Sequence, residues 1–159
     1  MVLINLYSIR SDGYFNDLIT LFISNCRFNA TKYRDLLRNR VIPKLREKYP
    51  IPEEIYFVQD RCPIHQARII QNLLRDEANF TLITLPPKGS DMNPIENLWG
   101  LIVRSLEIDP QWTKEEFVGA VFNAWRRETS KQEQIVNLSL SMKRRLQAVI
   151  NADGYWTKY

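Results

Sequence analysis

Asp60 and Glu96 are the two residues whose type and placement best fit the binding of divalent metal ions. Asp60 directly follows Ile55 to Gln59, a run of aromatic and β-branched residues that is typical of a strand. Glu96 falls in the first turn of a strongly patterned helix. Two-metal chemistry on phosphodiesters needs carboxylate oxygens from separate elements that converge on one point. We therefore predict that Asp60 and Glu96 converge as catalytic metal ligands.

Each of these acids also has a purely structural interpretation, and spacing alone leaves both interpretations open. Asp60 could simply end its strand. Glu96 stands three residues after Asn93, so its carboxylate could close a capping box on the backbone N–H of Asn93. His65 could contact a phosphate or a metal ligand, or it could make a structural hydrogen bond at the start of a helix.

The first half of the chain is predicted to contain a hairpin, a helix, a strand, a second helix and another strand. The hairpin pairs Val2–Ile9 with Leu18–Ser24, and the first helix runs from Asn29 or Thr31 to Pro50. The next strand is Ile55–Gln59, the second helix starts near His65, and the last strand is Phe80–Leu85. Pro43 is expected to kink or divide the first helix. The second helix is expected to turn four apolar residues to the core: Ile69, Ile70, Leu73 and Leu74.

The second half is predicted to be helical. Asn93 is a good N-cap, Pro94 suits the first helical position, and an apolar stripe follows, made of Ile95, Leu98, Trp99, Ile102, Val103 and Leu106. Thr113 and Glu116 predict a capping box on a helix whose core face is Phe117, Val121, Phe122 and Trp125. A last helix is predicted over 132–152, broken near 139–141 and ended by Gly154, with Leu146, Val149 and Ile150 as its apolar positions. The element order predicts a mixed α/β sheet with helices packed on it.

The positive charge is concentrated at the start of the chain. The whole chain has 22 Lys and Arg residues and 18 Asp and Glu residues. Residues 1–50 hold nine of the basic and four of the acidic residues, so the rest of the chain holds thirteen basic and fourteen acidic residues. The basic helix could attract a phosphate backbone through Arg34, Arg38, Lys44, Arg46 and Lys48, and the later helices through Arg126, Arg127, Lys143, Arg144 and Arg145. The alternative is that these are solvated helix surfaces.

The composition, with 45% hydrophobic and 25% charged residues, is that of a globular protein. No stretch approaches the roughly 20 apolar residues that span a bilayer, so no membrane partner is expected. Cys26 and Cys62 are too few for a disulfide framework or a structural zinc site, and we expect free thiols.

Two sequence segments carry a family resemblance. They are YFVQDRCPIH, residues 56–65, and LPPKGSDMNPIENLWG, residues 85–100, and weaker matches lie in KYRDLL, TKEEF and SMKRRLQAVINADGYWTKY. Together these resemble the Tc/mariner transposase superfamily. The resemblance implies a ribonuclease-H-like α/β fold, a mixed sheet with flanking helices.

The resemblance also implies roles for individual residues. Asp60 matches the second acid of the catalytic triad and Glu96 the third, which together would hold Mg²⁺ or Mn²⁺. Asn93 and Pro94 would set the start of the helix that aims Glu96, and Trp99 would anchor that helix in the core. The implied partner is DNA that carries terminal inverted repeats. The implied reaction is cut-and-paste transposition into a TA target site, in the nucleus. The resemblance leaves open whether the protein forms a homodimer.

The chain also departs from the family pattern. The family's first acid lies on a central strand upstream of the hairpin with which this sequence opens, and a pair of helix-turn-helix modules precedes it. We therefore expect residues 1–159 to be a single partial catalytic domain that lacks the first, central strand. Without this strand, the edges of its neighbouring strands are expected to be unpaired. We also expect this chain to be inactive alone. Arg61 is expected to pair with Asp60 and compete with a metal. The alternative is a domesticated, non-catalytic DNA-binding module of the same fold.

Overall fold

The computed structural model of the chain describes residues 7–9, 28–87 and 89–159. The chain divides into two compact units, Met1–Pro87 and Lys88–Tyr159. The predicted strand Leu18–Ser24, the turn of the hairpin and the start of Val2–Ile9 lie outside the described residues. Across the described ranges, none of the helices combines the length and the apolar character needed to cross a bilayer.

The first unit contains a three-stranded mixed sheet in the order β1-β2-β3. β1 is Tyr7–Ile9, β2 is Ile55–Gln59 and β3 is Phe80–Thr84. β2 runs antiparallel to β1, with Ser8 opposite Phe57, and parallel to β3. The predicted mixed sheet is confirmed, and the predicted strands over 55–59 and 80–85 agree with the structure to within one residue.

The prediction of an unpaired edge beside the strand that carries Asp60 was wrong. β1 pairs along one edge of β2 while β3 pairs along the other, so β2 is hydrogen-bonded on both sides. The physical reason is that the backbone N–H and C=O groups of β1 form hydrogen bonds with β2 along the edge that we expected to be unpaired.

The basic helix is divided into two α-helices by a π-helical segment. α1 spans Ala30–Leu36 and α2 spans Ile42–Lys48, and the π-helical residues Leu37–Val41 lie between them. Asn29 caps α1, since its side chain accepts a hydrogen bond from the backbone of Lys32 at 3.0 Å. Pro43 has no N–H to donate, and the π turn just before it confirms the predicted division.

The core of the first unit lies between this divided helix, β2 and α3, which spans Arg68–Arg75. Its largest fully buried side chains include Tyr33, Leu37, Leu45, Ile55, Phe57, Ile70 and Leu74. The prediction that α3 starts near His65 and buries Ile69 was wrong. Residues 63–66 instead form turns, with Gln66 donating to the carbonyl of Cys62 at 3.0 Å, and Ile69 is exposed whereas Ile70 and Leu74 are buried.

The second unit is built from three helices. α4 spans Pro94–Arg104, α5 spans Lys114–Thr129 and α6 spans Gln132–Asn151. Trp99 on α4 and Trp125 on α5 pack with their ring centres 5.1 Å apart. The core side chains around this pair are Ile95, Leu98, Ile102, Val121 and Ala124. Trp99 thus joins α4 to α5 through a ring contact, and its predicted role in supporting Glu96 stays a prediction.

Several apolar positions named in the predicted helices of the second unit are exposed. Val103, Phe122, Leu146 and Ile150 all face solvent, and α6 continues through 139–141 without the predicted break. Among the side chains of α6 that the structure describes, the buried ones are polar: Ser141 and Arg145, four residues apart on one face. The apolar positions that the sequence picked out in this helix are therefore not the ones it buries. Gly154, with φ of 81°, ends the helix as predicted.

Candidate functional site

Asp60 projects from the C-terminal end of β2 into the turn that follows. Its Oδ1 atom accepts hydrogen bonds from the backbone N–H of Cys62 at 2.9 Å and from Nδ1 of His65 at 2.6 Å. The first of these contacts is an Asx turn, the local arrangement that an aspartate readily forms. The Asp60 side chain remains 59% exposed. Its carboxylate is therefore fixed in direction and still open to solvent.

His65 is held against Asp60 by its own neighbours. Its ring packs on the ring of Tyr33, with the centres 4.8 Å apart, and its carbonyl accepts a hydrogen bond from the side chain of Gln71 at 2.8 Å. The side chain is only 15% exposed. The sequence left open whether His65 contacts a phosphate or metal ligand or makes a structural hydrogen bond at a helix start. In the structure, His65 lies on a turn before α3 and contacts Asp60, the predicted metal ligand.

Tyr33 and Gln59 form the buried layer beneath this turn. The side-chain amide of Gln59 donates a hydrogen bond to the phenol oxygen of Tyr33. Burial raises the pKa of Tyr33 above its ordinary value, and the nearby charge of Asp60 raises it further. The phenol therefore stays neutral, and its ring supports His65. Neither residue was singled out from the sequence, because the contact joins two elements that lie far apart along the chain.

Arg61 does not fulfil the prediction that it pairs with Asp60. Within the part of the chain that the structure describes, the Asp60 side chain contacts the ring of His65 and the backbone of Cys62, and Arg61 is exposed. The Asx turn accounts for this, since it directs the Asp60 carboxylate toward the residues that follow Arg61.

Glu96 lies exposed in the first turn of α4, as predicted. Asn93 is the N-cap residue and Pro94 the first helical residue. The capping-box interpretation was wrong, because the backbone N–H of Asn93 donates to the carbonyl of Ser90 at 3.0 Å. Oε1 of Glu96 instead accepts a hydrogen bond from the side-chain amide of Asn93 at 3.2 Å. Asn93 therefore orients the carboxylate as well as beginning the helix.

Arg145 fixes the segment in front of α4. Its guanidinium donates to the carbonyl of Asp91 at 2.8 Å and to Oδ1 of Asn97 at 2.6 Å, and its Nε donates to Oγ of Ser141 at 2.7 Å. Only 2% of Arg145 is exposed, so its predicted contact with DNA was wrong. Asp91 in turn accepts a hydrogen bond from the hydroxyl of Thr157 at 3.0 Å. The turn before Glu96 is thus held from two sides.

The remaining predicted DNA contacts differ in accessibility. Seven are exposed on helix surfaces: Arg38, Lys44, Lys48, Arg126, Arg127, Lys143 and Arg144. Arg34 is partly buried and pairs with Asp35 at 2.8 Å. Arg46 packs over the ring of Phe80 and donates to the carbonyl of Ala78, which gives it a structural role.

Asp60 and Glu96 belong to different compact units. Their convergence therefore stays a prediction, while the local geometry of each is established. Both are carboxylates at the end of a regular element, and each is oriented by a hydrogen bond from a neighbouring side chain.

The family model of the DDE superfamily endonucleases matches residues 16–117. The chain belongs to this family. This DDE chain is 31% identical over 127 residues to the transposable element Tcb1 transposase of Caenorhabditis briggsae, covering 80% of this chain and 45% of that protein. It is 30% identical over 138 residues to the Tc3 transposase of Caenorhabditis elegans, covering 84% of this chain and 39% of that protein. The chain thus spans less than half the length of these relatives.

Solved structures show the fold of the DDE chain. It matches the catalytic domain of the Mos1 mariner transposase with a TM-score of 0.70 at 18% identity, over 99% of this chain and 80% of that one. The Mos1 catalytic domain with Raltegravir and Mg matches with a TM-score of 0.68 at 19% identity, over 92% and 71%. The predicted Tc/mariner resemblance and the ribonuclease-H-like fold are confirmed.

Proposed function

We propose that residues 1–159 form a single, partial DDE catalytic domain of a Tc/mariner-type transposase, in which Asp60 and Glu96 are catalytic metal ligands. The proposed reaction of the whole protein is cleavage of DNA and transfer of the cut strand to a target. The relatives of this chain are transposases, and the catalytic domain of one such enzyme shares its fold.

The observation that carries the proposal is the presentation of Asp60. Its Oδ1 atom is occupied by Cys62 and His65, whereas Oδ2 makes no hydrogen bond to any residue that the structure describes. A lone pair on an exposed, oriented carboxylate oxygen is what a hard divalent cation requires. A carboxylate that only ended a strand would not need a partly buried histidine to hold it.

The donor chemistry of both acids fits Mg²⁺ or Mn²⁺, which bind carboxylate oxygens in preference to softer ligands. Structures of the Mos1 catalytic domain contain Mg or Mn. When bound, such ions would polarise the scissile phosphate and activate the attacking water or 3′-hydroxyl. In this chain, His65 would hold the direction of Asp60, and Asn93 that of Glu96.

The proposed substrate is DNA that carries transposon terminal inverted repeats, with insertion at a TA dinucleotide and action in the nucleus. The exposed basic residues Arg38, Lys44, Lys143 and Arg144 are candidates to contact its phosphates. Binding through such contacts weakens steeply as salt rises.

Metal binding by the purified chain tests the proposal directly. We expect calorimetric titration with Mn²⁺ to show binding that Asp60→Ala and Glu96→Ala each weaken at least about tenfold, since each removes an oxygen ligand. Asp76→Ala and Glu107→Ala are matched controls, because both remove exposed acids outside the site and should leave the titration unchanged. Binding that all four variants leave unchanged would contradict the proposal. Salt-dependent DNA binding that ignores Mn²⁺ and Asp60→Ala would support the non-catalytic module instead.

A further inference from the structure

The turn after β2 brings together three side chains of different ligand chemistry. One ligand atom each of Asp60, Cys62 and His65 lies within 4.8 Å of the other two. Cys62 is a free thiol and is partly exposed. These are a hard oxygen, a soft sulphur and a borderline nitrogen, all on one short stretch of chain in the first unit.

We propose that Asp60, Cys62 and His65 form a binding site for a thiophilic divalent metal ion of the Zn²⁺ class. Zinc is commonly held by three protein ligands drawn from Cys, His and Asp or Glu, with water in the fourth position. Around a tetrahedral zinc the ligand atoms stand roughly 3.4–3.6 Å apart, as follows from bond lengths of about 2.0–2.3 Å. Metal binding would therefore require side-chain rotation that brings the three ligand atoms closer together.

The backbone of the turn is already shaped for such a site. The N–H of Cys62 is bonded to Asp60, and the carbonyl of Cys62 accepts the N–H of Gln66 at 3.0 Å. The carbonyl of His65 is bonded to Gln71, and its ring rests on Tyr33. Metal binding would therefore order few additional groups, which keeps its entropic cost low.

The proton balance is simple. The thiol of Cys62 releases its proton to the buffer as sulphur bonds to the metal. Nδ1 of His65 donates to Asp60 in the free site, so its proton is transferred through solvent to Nε2 before the neutral ring binds the metal through Nδ1. The hydrogen bond between Nδ1 and Asp60 is then replaced by a metal bond to each residue.

This site goes beyond the proposed function, because sulphur is a poor ligand for Mg²⁺ and the thiol has no part in a carboxylate site. The two sites share only Asp60. If Asp60 also holds Mg²⁺, as proposed above, an ion of the Zn²⁺ class would compete for it. That consequence rests on the proposed function, whereas the site itself does not.

Cobalt(II) is the probe for the experiment, since it occupies zinc sites and gives a charge-transfer absorption band when it is bound by a thiolate. We expect the whole chain to show this band on titration, and excess Zn²⁺ but not Mg²⁺ to remove it. Cys62→Ser should abolish the band. His65→Gln and Asp60→Asn should weaken cobalt binding at least about tenfold.

Cys26→Ser is the matched control, because it makes the same change at the other cysteine and should leave the band intact. Circular dichroism of each variant shows that it is folded, and His65→Gln provides a second test should Cys62→Ser unfold. A band that is absent from the unaltered chain, survives Cys62→Ser or disappears with Cys26→Ser would overturn the assignment. The readout requires neither Mg²⁺ nor DNA, so its failure is distinguishable from failure of the transposase proposal.

Discussion

The guanidinium carbon of Arg145 lies 4.6 Å from the centre of the Tyr159 ring. The same guanidinium donates hydrogen bonds to Asp91 and Asn97, which lie on either side of the start of α4. A buried arginine is tolerated only when its donors are satisfied, and these contacts do so. One side chain thus joins α6, the segment before α4 and the residues that follow α6.

Arg145→Met should destabilise the chain by at least about 2 kcal/mol, because it removes charge-assisted hydrogen bonds and leaves the buried carbonyl of Asp91 without this donor. The free energy of unfolding is measured by urea denaturation. Arg144→Met is the control, since it makes the same change at the exposed neighbouring residue and should stay within about 0.5 kcal/mol of the unaltered chain. Equal effects of the two substitutions would show that the network contributes nothing.

Glu128 should make stability depend on pH. It is buried on α5 and lies 2.6 Å from Nζ of Lys131, and that hydrogen bond lowers its pKa from the ordinary value of 4.5. A carboxyl whose pKa is lower in the folded state stabilises the fold above the unfolded pKa. This stabilisation is lost as pH falls through the folded pKa. Glu128→Gln should therefore reduce the loss of stability between neutral pH and about pH 3.

Melting temperatures across this pH range provide the measurement for Glu128. Glu133→Gln serves as the comparison, since Glu133 is an exposed acid on the neighbouring helix. If both variants follow the acid profile of the unaltered chain, the Glu128–Lys131 pair has no part in it.

The capping box at Thr113 should contribute measurably to the stability of α5. The Thr113 hydroxyl accepts the N–H of Glu116 at 3.2 Å, and the Glu116 carboxylate accepts the N–H of Thr113 at 2.7 Å. Thr113→Ala should cost about 1 kcal/mol in thermal unfolding, while Thr113→Ser keeps the hydroxyl and should retain most of the stability. A serine variant as unstable as the alanine variant would mean that the hydroxyl is not what matters.

Tyr33→Phe tests the buried layer beneath the candidate site. The substitution keeps the ring against His65 but removes the phenol oxygen that accepts from the buried amide of Gln59, at an expected cost of about 1–3 kcal/mol. Tyr56→Phe is the control, because its hydroxyl bonds to the exposed acid Glu54 and its loss should cost less than about 0.5 kcal/mol. Chemical denaturation of both variants measures the difference.

Local signals in the sequence were sufficient for the elements that carry the candidate site. The strand before Asp60, the start of the helix after Asn93 and the capping box at Thr113 each depend on neighbouring residues, and all three are confirmed. The Asn93 side chain itself makes no capping hydrogen bond. The family resemblance, carried by short motifs around Asp60 and Glu96, is confirmed as well.

Contacts between distant residues could not be predicted in this way. The buried face of α6 is formed by Ser141 and Arg145, whose partners lie at Asp91 and Asn97, so the apolar pattern of the helix gave no sign of it. The layer of Tyr33 and Gln59 was missed for the same reason. Whether Asp60 and Glu96 meet is a relation of the same kind and remains a prediction.

The hydrogen bond between Asp91 and Thr157 closes a loop of large sequence separation, since the two residues are 66 positions apart along the chain. Closing such a loop is entropically costly and occurs after local helices have formed. During synthesis, Asp91 leaves the ribosome long before Thr157 does. The turn that leads into the helix of Glu96 can therefore acquire its final contacts only when translation of this region is nearly complete.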